Sequence, residues 1–234
     1  MPGVSTPYLE FYRAELAPGL MDGLWTSLAV IAPSACLGAL IGLVAGVLRV
    51  YGPGPVRRLA EIYVALFRGT PLVVQVFFWY FALPYISIGG HSIVLDPIPA
   101  AILSFSLCSG AYQSEYIRGG LMSIKRGQIR AALALGMTTR QAVQSVVLPQ
   151  AFRRALPGCG NEIIYLIKYS SLASVITVSE LTGMATTIAR NSWRNIEVFC
   201  TLGAYYLVLV TLATWLLRLL EDALGVPGFE RHRT

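Results

Sequence analysis

Apolar stretches of membrane length alternate along this chain with short segments rich in proline, glycine or basic residues. Five such stretches lie at about 24–48, 58–83, 98–116, 160–178 and 198–217. A spanning helix needs about 20 predominantly apolar residues, so the pattern predicts an all-α membrane protein with five transmembrane helices. In the first stretch Gly38, Gly42 and Gly46 recur at fourfold spacing. That spacing fits close approach of another helix, or simply the higher glycine content of membrane helices. The second stretch begins near Arg58 and ends before Pro84, and Pro71, after Gly69 and Thr70, predicts a kink in it. Residues 85–97 include Gly89-Gly90 with prolines nearby, and read as an external loop.

Between the third and fourth stretches the pattern changes. Residues 130–149, RAALALGMTTRQAVQSVVLP, are only mildly amphipathic and read as two short helices broken at Gly136-Met137. Thr138 and Gln141 have the N-cap and N3 spacing of a capping box. On the second helix Val143, Val146 and Val147 form an apolar stripe opposite Arg140, Gln141 and Gln144. A chain that lies mostly in a membrane has little reason to build such a loop unless something outside the membrane docks on it.

Composition agrees with the hydropathy pattern. Of 234 residues 55% are hydrophobic and 13% charged, and the mean hydropathy is +0.62. The whole chain, 1–234, reads as one integral membrane domain. A net charge of +6 raises the question of nucleic acid, but the basic residues fall in blocks between the apolar stretches, as orientation signals do. Nucleic acid is therefore not the expected partner. Glu10 and Glu15 precede the first stretch, without a basic n-region, so no cleaved signal peptide is expected. Basic residues cluster after the first stretch (Arg49, Arg57, Arg58), after the third (Arg118 to Arg154) and after the fifth (Arg218, Arg231, Arg233). Only Arg13, Arg190 and Arg194 lie on the opposite side. The N-terminus is thus predicted outside, and the C-terminus and the helix–Gly–helix loop in the cytoplasm. Cys36, Cys108, Cys159 and Cys200 have neither metal-ligand nor redox spacing, and only His91 and His232 are available. A metal centre or a Ser-His relay is not expected.

The loop resembles the EAA loop of permease subunits in ATP-binding-cassette importers, with Ala131, Ala132, Gly136, Val146, Leu148 and Pro149 at the family's spacing. LFRGTPLVVQVFFWY from Leu66, SGAYQSEYIRGGLMSI from Ser109 and LIKYSSLASVITVSELTG from Leu166 are similar to the polar amino acid permeases serving histidine, glutamine, glutamate, arginine and opines. The resemblance implies a type I importer permease fold in a bacterial inner membrane, with a coupling loop at about 123–156. Arg130 departs from the pattern, since it stands where the motif carries glutamate.

The resemblance also implies how such a chain works. There is no G-x-x-x-x-G-K-[ST] segment, so no phosphate-cradling loop is expected in this chain. ATP and magnesium would be bound by a partner ATPase dimer, and Arg130, Ala131, Ala132, Gly136 and Met137 are the candidate coupling residues. A second permease subunit, identical or different, and an extracytoplasmic amino acid binding protein complete the expected assembly. Charged and hydroxyl groups at membrane depth mark the candidate substrate path. These are Glu180, Ser109, Tyr112, Glu115, Ser174 and Thr177. Arg68, Glu115, Arg118 and Lys168 also have a plain structural explanation, as groups that snorkel or pair near the cytoplasmic interface. A membrane scaffold recruiting an ATPase is the alternative, but would not need polar groups at span centres. Neither a catalytic dyad nor a channel filter is visible.

Overall fold

The computed structural model describes residues 7–88 and 91–225. Gly89-Gly90 of the external loop and the orientation signals Arg231 and Arg233 lie outside them, as does His232.

Eight helices account for the described residues. They are α1 (Tyr8–Tyr51), α2 (Gly54–Gly69), α3 (Leu72–Tyr85), α4 (Pro97–Met122), α5 (Arg126–Ala134), α6 (Thr139–Ile176), α7 (Leu181–Ser192) and α8 (Asn195–Leu224). The sole exception to the all-helical class among the described residues is a two-residue antiparallel hairpin after α3, pairing Ser87 with Ser92 and Ile88 with His91. Helices α1 and α8 are each long and apolar enough to cross a membrane, and the bent pairs α2/α3 and α6/α7 could each make one further crossing. At 44 residues α1 measures about 66 Å, roughly twice the hydrocarbon thickness. α4 is less apolar because it carries Ser104, Ser106, Ser109, Gln113 and Ser114, all of them buried inside the protein.

The glycine stripe of α1 explains how α1 and α4 pack. A Cβ at Gly42 would lie 2.7 Å from the Cβ of Gln113 and 3.0 Å from the Gly110 carbonyl oxygen. Gly38 meets Ser109, and Gly46 meets Ile117. Residue numbers rise together along both helices, so they run in the same direction at a distance only glycine permits. Of the two sequence readings of this stripe, close approach is the correct one.

The second apolar stretch is not one kinked helix. Pro71 bars the helical conformation for Thr70, which is extended at φ −117° and ψ 144°, and α2 and α3 meet at 105°. Gln75 satisfies the exposed end of α2: its Nε2 donates to the carbonyls of Phe67 (2.9 Å) and Thr70 (3.1 Å). The helix after Gly136 also differs from expectation. Rather than stopping short, it runs through a π-turn at Val143–Val147 into the next apolar stretch. A wide turn just before Pro149 absorbs the hydrogen bond that proline cannot donate.

Three apolar clusters hold these helices. Val30, Val76, Phe105, Leu166 and Ile176 join α1, α3, α4 and α6. Leu16, Leu20, Leu181, Ala185, Val198 and Leu202 join α1, α7 and α8. Leu121, Ile124, Val147 and Ala151, with Ile129 against them, seat α5 on the ends of α4 and α6.

Candidate functional site

A carboxylate absent from the sequence-based site lies at the centre of the helix packing. Glu162, on α6, is 3% exposed, and its Oε1 has no hydrogen-bond partner. Ser109 of α4 lies within reach of this carboxylate, and Cys108, Tyr116, Cys159 and Tyr169 are close enough to feel its charge. The Ser109 hydroxyl accepts from Gln113 Nε2 at 3.1 Å, one turn along α4. Gly158 packs directly against the ring of Tyr116, where a Cβ would collide. A carboxylate buried without a full set of partners is costly to keep charged, and such a group is a candidate functional residue. Its signal in the sequence is the one acidic residue within the fourth apolar stretch.

Toward the other end of α4, Glu115 gathers three arginines. Arg49 of α1 approaches at 2.8 Å, Arg68 of α2 at 3.1 Å and Arg118 of α4 at 2.9 Å. Arg49 also donates to Ser114 Oγ at 3.3 Å, and the Arg68 guanidinium lies 5.2 Å over the ring of Tyr112. Three guanidiniums around one carboxylate leave two positive charges within the junction uncompensated. The pairing that the sequence offered as the plain explanation for Arg68, Glu115 and Arg118 is therefore present, and it ties three helices together. Lys168 lies apart, over the ring of Tyr165 at 4.2 Å.

Glu180 lies at the α6/α7 corner. Fully buried, it is the N-cap of α7, accepting from Gly183 N at 2.8 Å and Thr182 N at 3.0 Å. The Tyr206 hydroxyl donates to it at 3.3 Å. Both oxygens are thus engaged in closing the helix and fixing α8 against it. Ser174 belongs to the same corner, its hydroxyl donating to the Ser171 carbonyl at 2.7 Å. Thr177, exposed and left-handed at φ 69°, makes the turn between α6 and α7. The six candidate path residues therefore divide in three: Ser109 beside Glu162, Tyr112 and Glu115 in the arginine junction, and Ser174, Thr177 and Glu180 at the α6/α7 corner.

The loop forms a compact elbow. Gly136 adopts φ +85°, a conformation glycine reaches without strain. Next to it the capping box closes, with Gln141 N donating to Thr138 Oγ1 at 3.3 Å and Thr138 N donating to Gln141 Oε1 at 2.8 Å. Ala132 is buried and Met137 half-buried, whereas Arg130 and Ala131 face outward. Leu135, at the elbow, is 82% exposed. Among the described residues no group of three His, Cys, Asp or Glu side chains is placed to hold a metal ion.

Comparison with known proteins gives these features a context. Residues 38–226 match the family described as binding-protein-dependent transport system inner membrane components. The chain is 37% identical over 209 residues to the glutamine transport system permease protein GlnP of Escherichia coli (strain K12), covering 89% of this chain and 94% of that protein. It is 38% identical over 222 residues to the octopine transport system permease protein OccM of Rhizobium radiobacter, covering 93% and 91%. Among solved structures, an amino acid ABC transporter crystallised with histidines superposes with a TM-score of 0.85 at 30% identity, over 94% of this chain and 100% of that one. The inward-facing MetNI methionine ABC transporter superposes at 0.72 with 26% identity, over 88% and 96%. The chain belongs to the binding-protein-dependent transport system inner membrane components, and is a transmembrane permease subunit of an ABC importer.

Proposed function

We propose that this subunit moves polar amino acids across a bacterial inner membrane by alternating access, with Glu162 receiving the positively charged group of the substrate. The observation that carries the reading is the buried, incompletely partnered carboxylate of Glu162 beside Ser109. An α-ammonium, or the guanidinium of a basic amino acid, supplies the charge and donors that the carboxylate lacks. Substrate would come from an extracytoplasmic binding protein. The relatives named for glutamine, octopine, cystine and nopaline transport support an amino acid cargo.

In this arrangement two permease subunits form the path, each with five crossings counted as α1, α2/α3, α4, α6/α7 and α8. The N-terminus lies outside and the C-terminus in the cytoplasm. An ATPase dimer, binding ATP and magnesium, engages the elbow around Gly136 through Arg130, Ala131, Ala132 and Met137. Closure of the ATPases moves that elbow, and α6 carries the displacement without interruption from Thr139 to the Glu162 region. Two states biased by nucleotide at one end and substrate at the other are what pumping requires. A scaffold that recruits an ATPase without carrying a solute has no use for Glu162.

Equilibrium binding of radiolabelled arginine, histidine, glutamine and glutamate to the solubilised permease–ATPase complex tests the assignment. Glu162→Gln is expected to weaken binding of the preferred ligand by tenfold or more, of the order found when a charged hydrogen-bond partner is removed. Unchanged affinity in a correctly assembled Glu162→Gln complex would remove Glu162 from the site.

A further inference from the structure

Every charge on the elbow and its flanks is basic. From Ser123 to Asn161 the chain has six basic residues, Lys125, Arg126, Arg130, Arg140, Arg153 and Arg154, and no acidic one. Arg154 is used within the fold, donating to the Ser123 carbonyl at 3.0 Å. Among the described residues, no ion pair involves any of the other five.

Two features of α5 place these charges unfavourably within the chain itself. Lys125 and Arg126 occupy its N-cap and first position, where the helix dipole favours anions. Arg126 and Arg130 stand four residues apart, a spacing at which like charges repel. Meanwhile the helix turns its apolar side inward, Ile129 and Ala132 being packed against the protein. Outward it shows Arg126 and Arg130 beside the small residues Ala131 and Ala134, with Leu133 partly exposed and Leu135 projecting at the end. A helix that lies on lipid keeps its bulky apolar side for the membrane, whereas α5 turns Ile129 and Ala132 onto its own chain and leaves only Leu133 and Leu135 outside. Small residues between arginines instead allow a protein surface to approach closely and meet the charges.

We infer that the ATPase paired with this chain receives the elbow in a groove rimmed by carboxylates, one of them facing Arg130, with an apolar pocket for Leu135. The inference rests on the coupling role proposed for the elbow and adds what the partner must look like. Electrostatic complementarity of this kind sets partner choice and association rate, and weakens with salt. The ATPase of an importer whose loop carries glutamate at the same position would lack the matching rim. Arg130 thus becomes a specificity element that keeps non-cognate ATPases off this permease.

The test uses the full permease–ATPase complex in two sets of nanodiscs, one of neutral lipid and one with added anionic lipid, reading ATPase affinity and crosslinking from benzoylphenylalanine placed at Thr139. Arg130→Glu is expected to weaken ATPase binding about tenfold at low salt, Arg130→Ala by less, and the difference is expected to shrink in high salt. Replacing the facing ATPase carboxylate by arginine is expected to restore Arg130→Glu. Unchanged or tighter binding by Arg130→Glu, with the crosslink retained, would overturn the acidic groove while leaving the coupling role intact. Absence of any ATPase crosslink from the wild-type elbow would remove the coupling role as well. Binding that follows anionic lipid content rather than residue 130 would assign the basic surface to the membrane and also overturn the inference.

Discussion

Gly42→Ala puts one methyl group into the α1/α4 seam, and the seam has no room for it. The added carbon would sit 2.7 Å from the Cβ of Gln113 and 3.0 Å from the Gly110 carbonyl oxygen. Neither is the free end of a flexible chain, so the helices themselves must separate. A shift of even 0.5–1 Å forfeits roughly a quarter to a half of each dispersion contact it stretches, and overfilling a packed contact costs about 1–3 kcal/mol. Alanine in a helix returns about 0.5–1 kcal/mol relative to glycine. The net expectation is a loss of about 0–2.5 kcal/mol, centred near 1, from the same estimates. Gly119→Ala, on α4 with nothing within 4 Å, is the control. It has the propensity gain without the collision. Thermal unfolding of the purified complex in nanodiscs should show Gly42→Ala below wild type and Gly119→Ala at or above it. If Gly42→Ala unfolds no lower than Gly119→Ala, the close seam is wrong.

Further outcomes follow from particular contacts. Glu180→Ala removes the cap of α7 and is expected to cost about 1–2 kcal/mol of stability in the same unfolding assay, with the order of substrate preference unchanged. Gly136→Ala forces a side chain into the left-handed region at about 1–2 kcal/mol, and faster hydrogen exchange confined to the elbow is the expected reading. Glu115→Gln leaves three arginines around a neutral amide, and hydrogen exchange should quicken where α1, α2 and α4 meet while Glu180 contacts stay protected.

Much of the architecture was legible because it is local. The capping box of Thr138 and Gln141 and the turn at Gly136 depend on residues a few positions apart, and each forms as its spacing indicates. The break at Pro71 was legible in place but not in size, since a kink and a 105° bend begin from the same proline. The candidate site was much less legible. Glu162 reads as one of two charges, with Lys168, in the fourth stretch until α4 is laid beside it with Ser109. Glu115 finds a partner in Arg49, far away in sequence, only because the glycine stripe brings α1 against α4. Glu180 stands out in the sequence as a charge at the end of a candidate span, whereas its bonds to the amides of its own helix and to Tyr206 show only in the fold. Burial and partnership are tertiary properties, and a single sequence does not display them.

Uptake into proteoliposomes tests the central account most directly. The permease and its ATPase are reconstituted with ATP inside, and the loaded binding protein with a labelled amino acid is supplied outside. The account expects concentrative uptake that requires both ATP and binding protein and is lost in Glu162→Gln. ATP hydrolysis that proceeds without uptake of any amino acid, and that ignores every loaded binding protein, would contradict it.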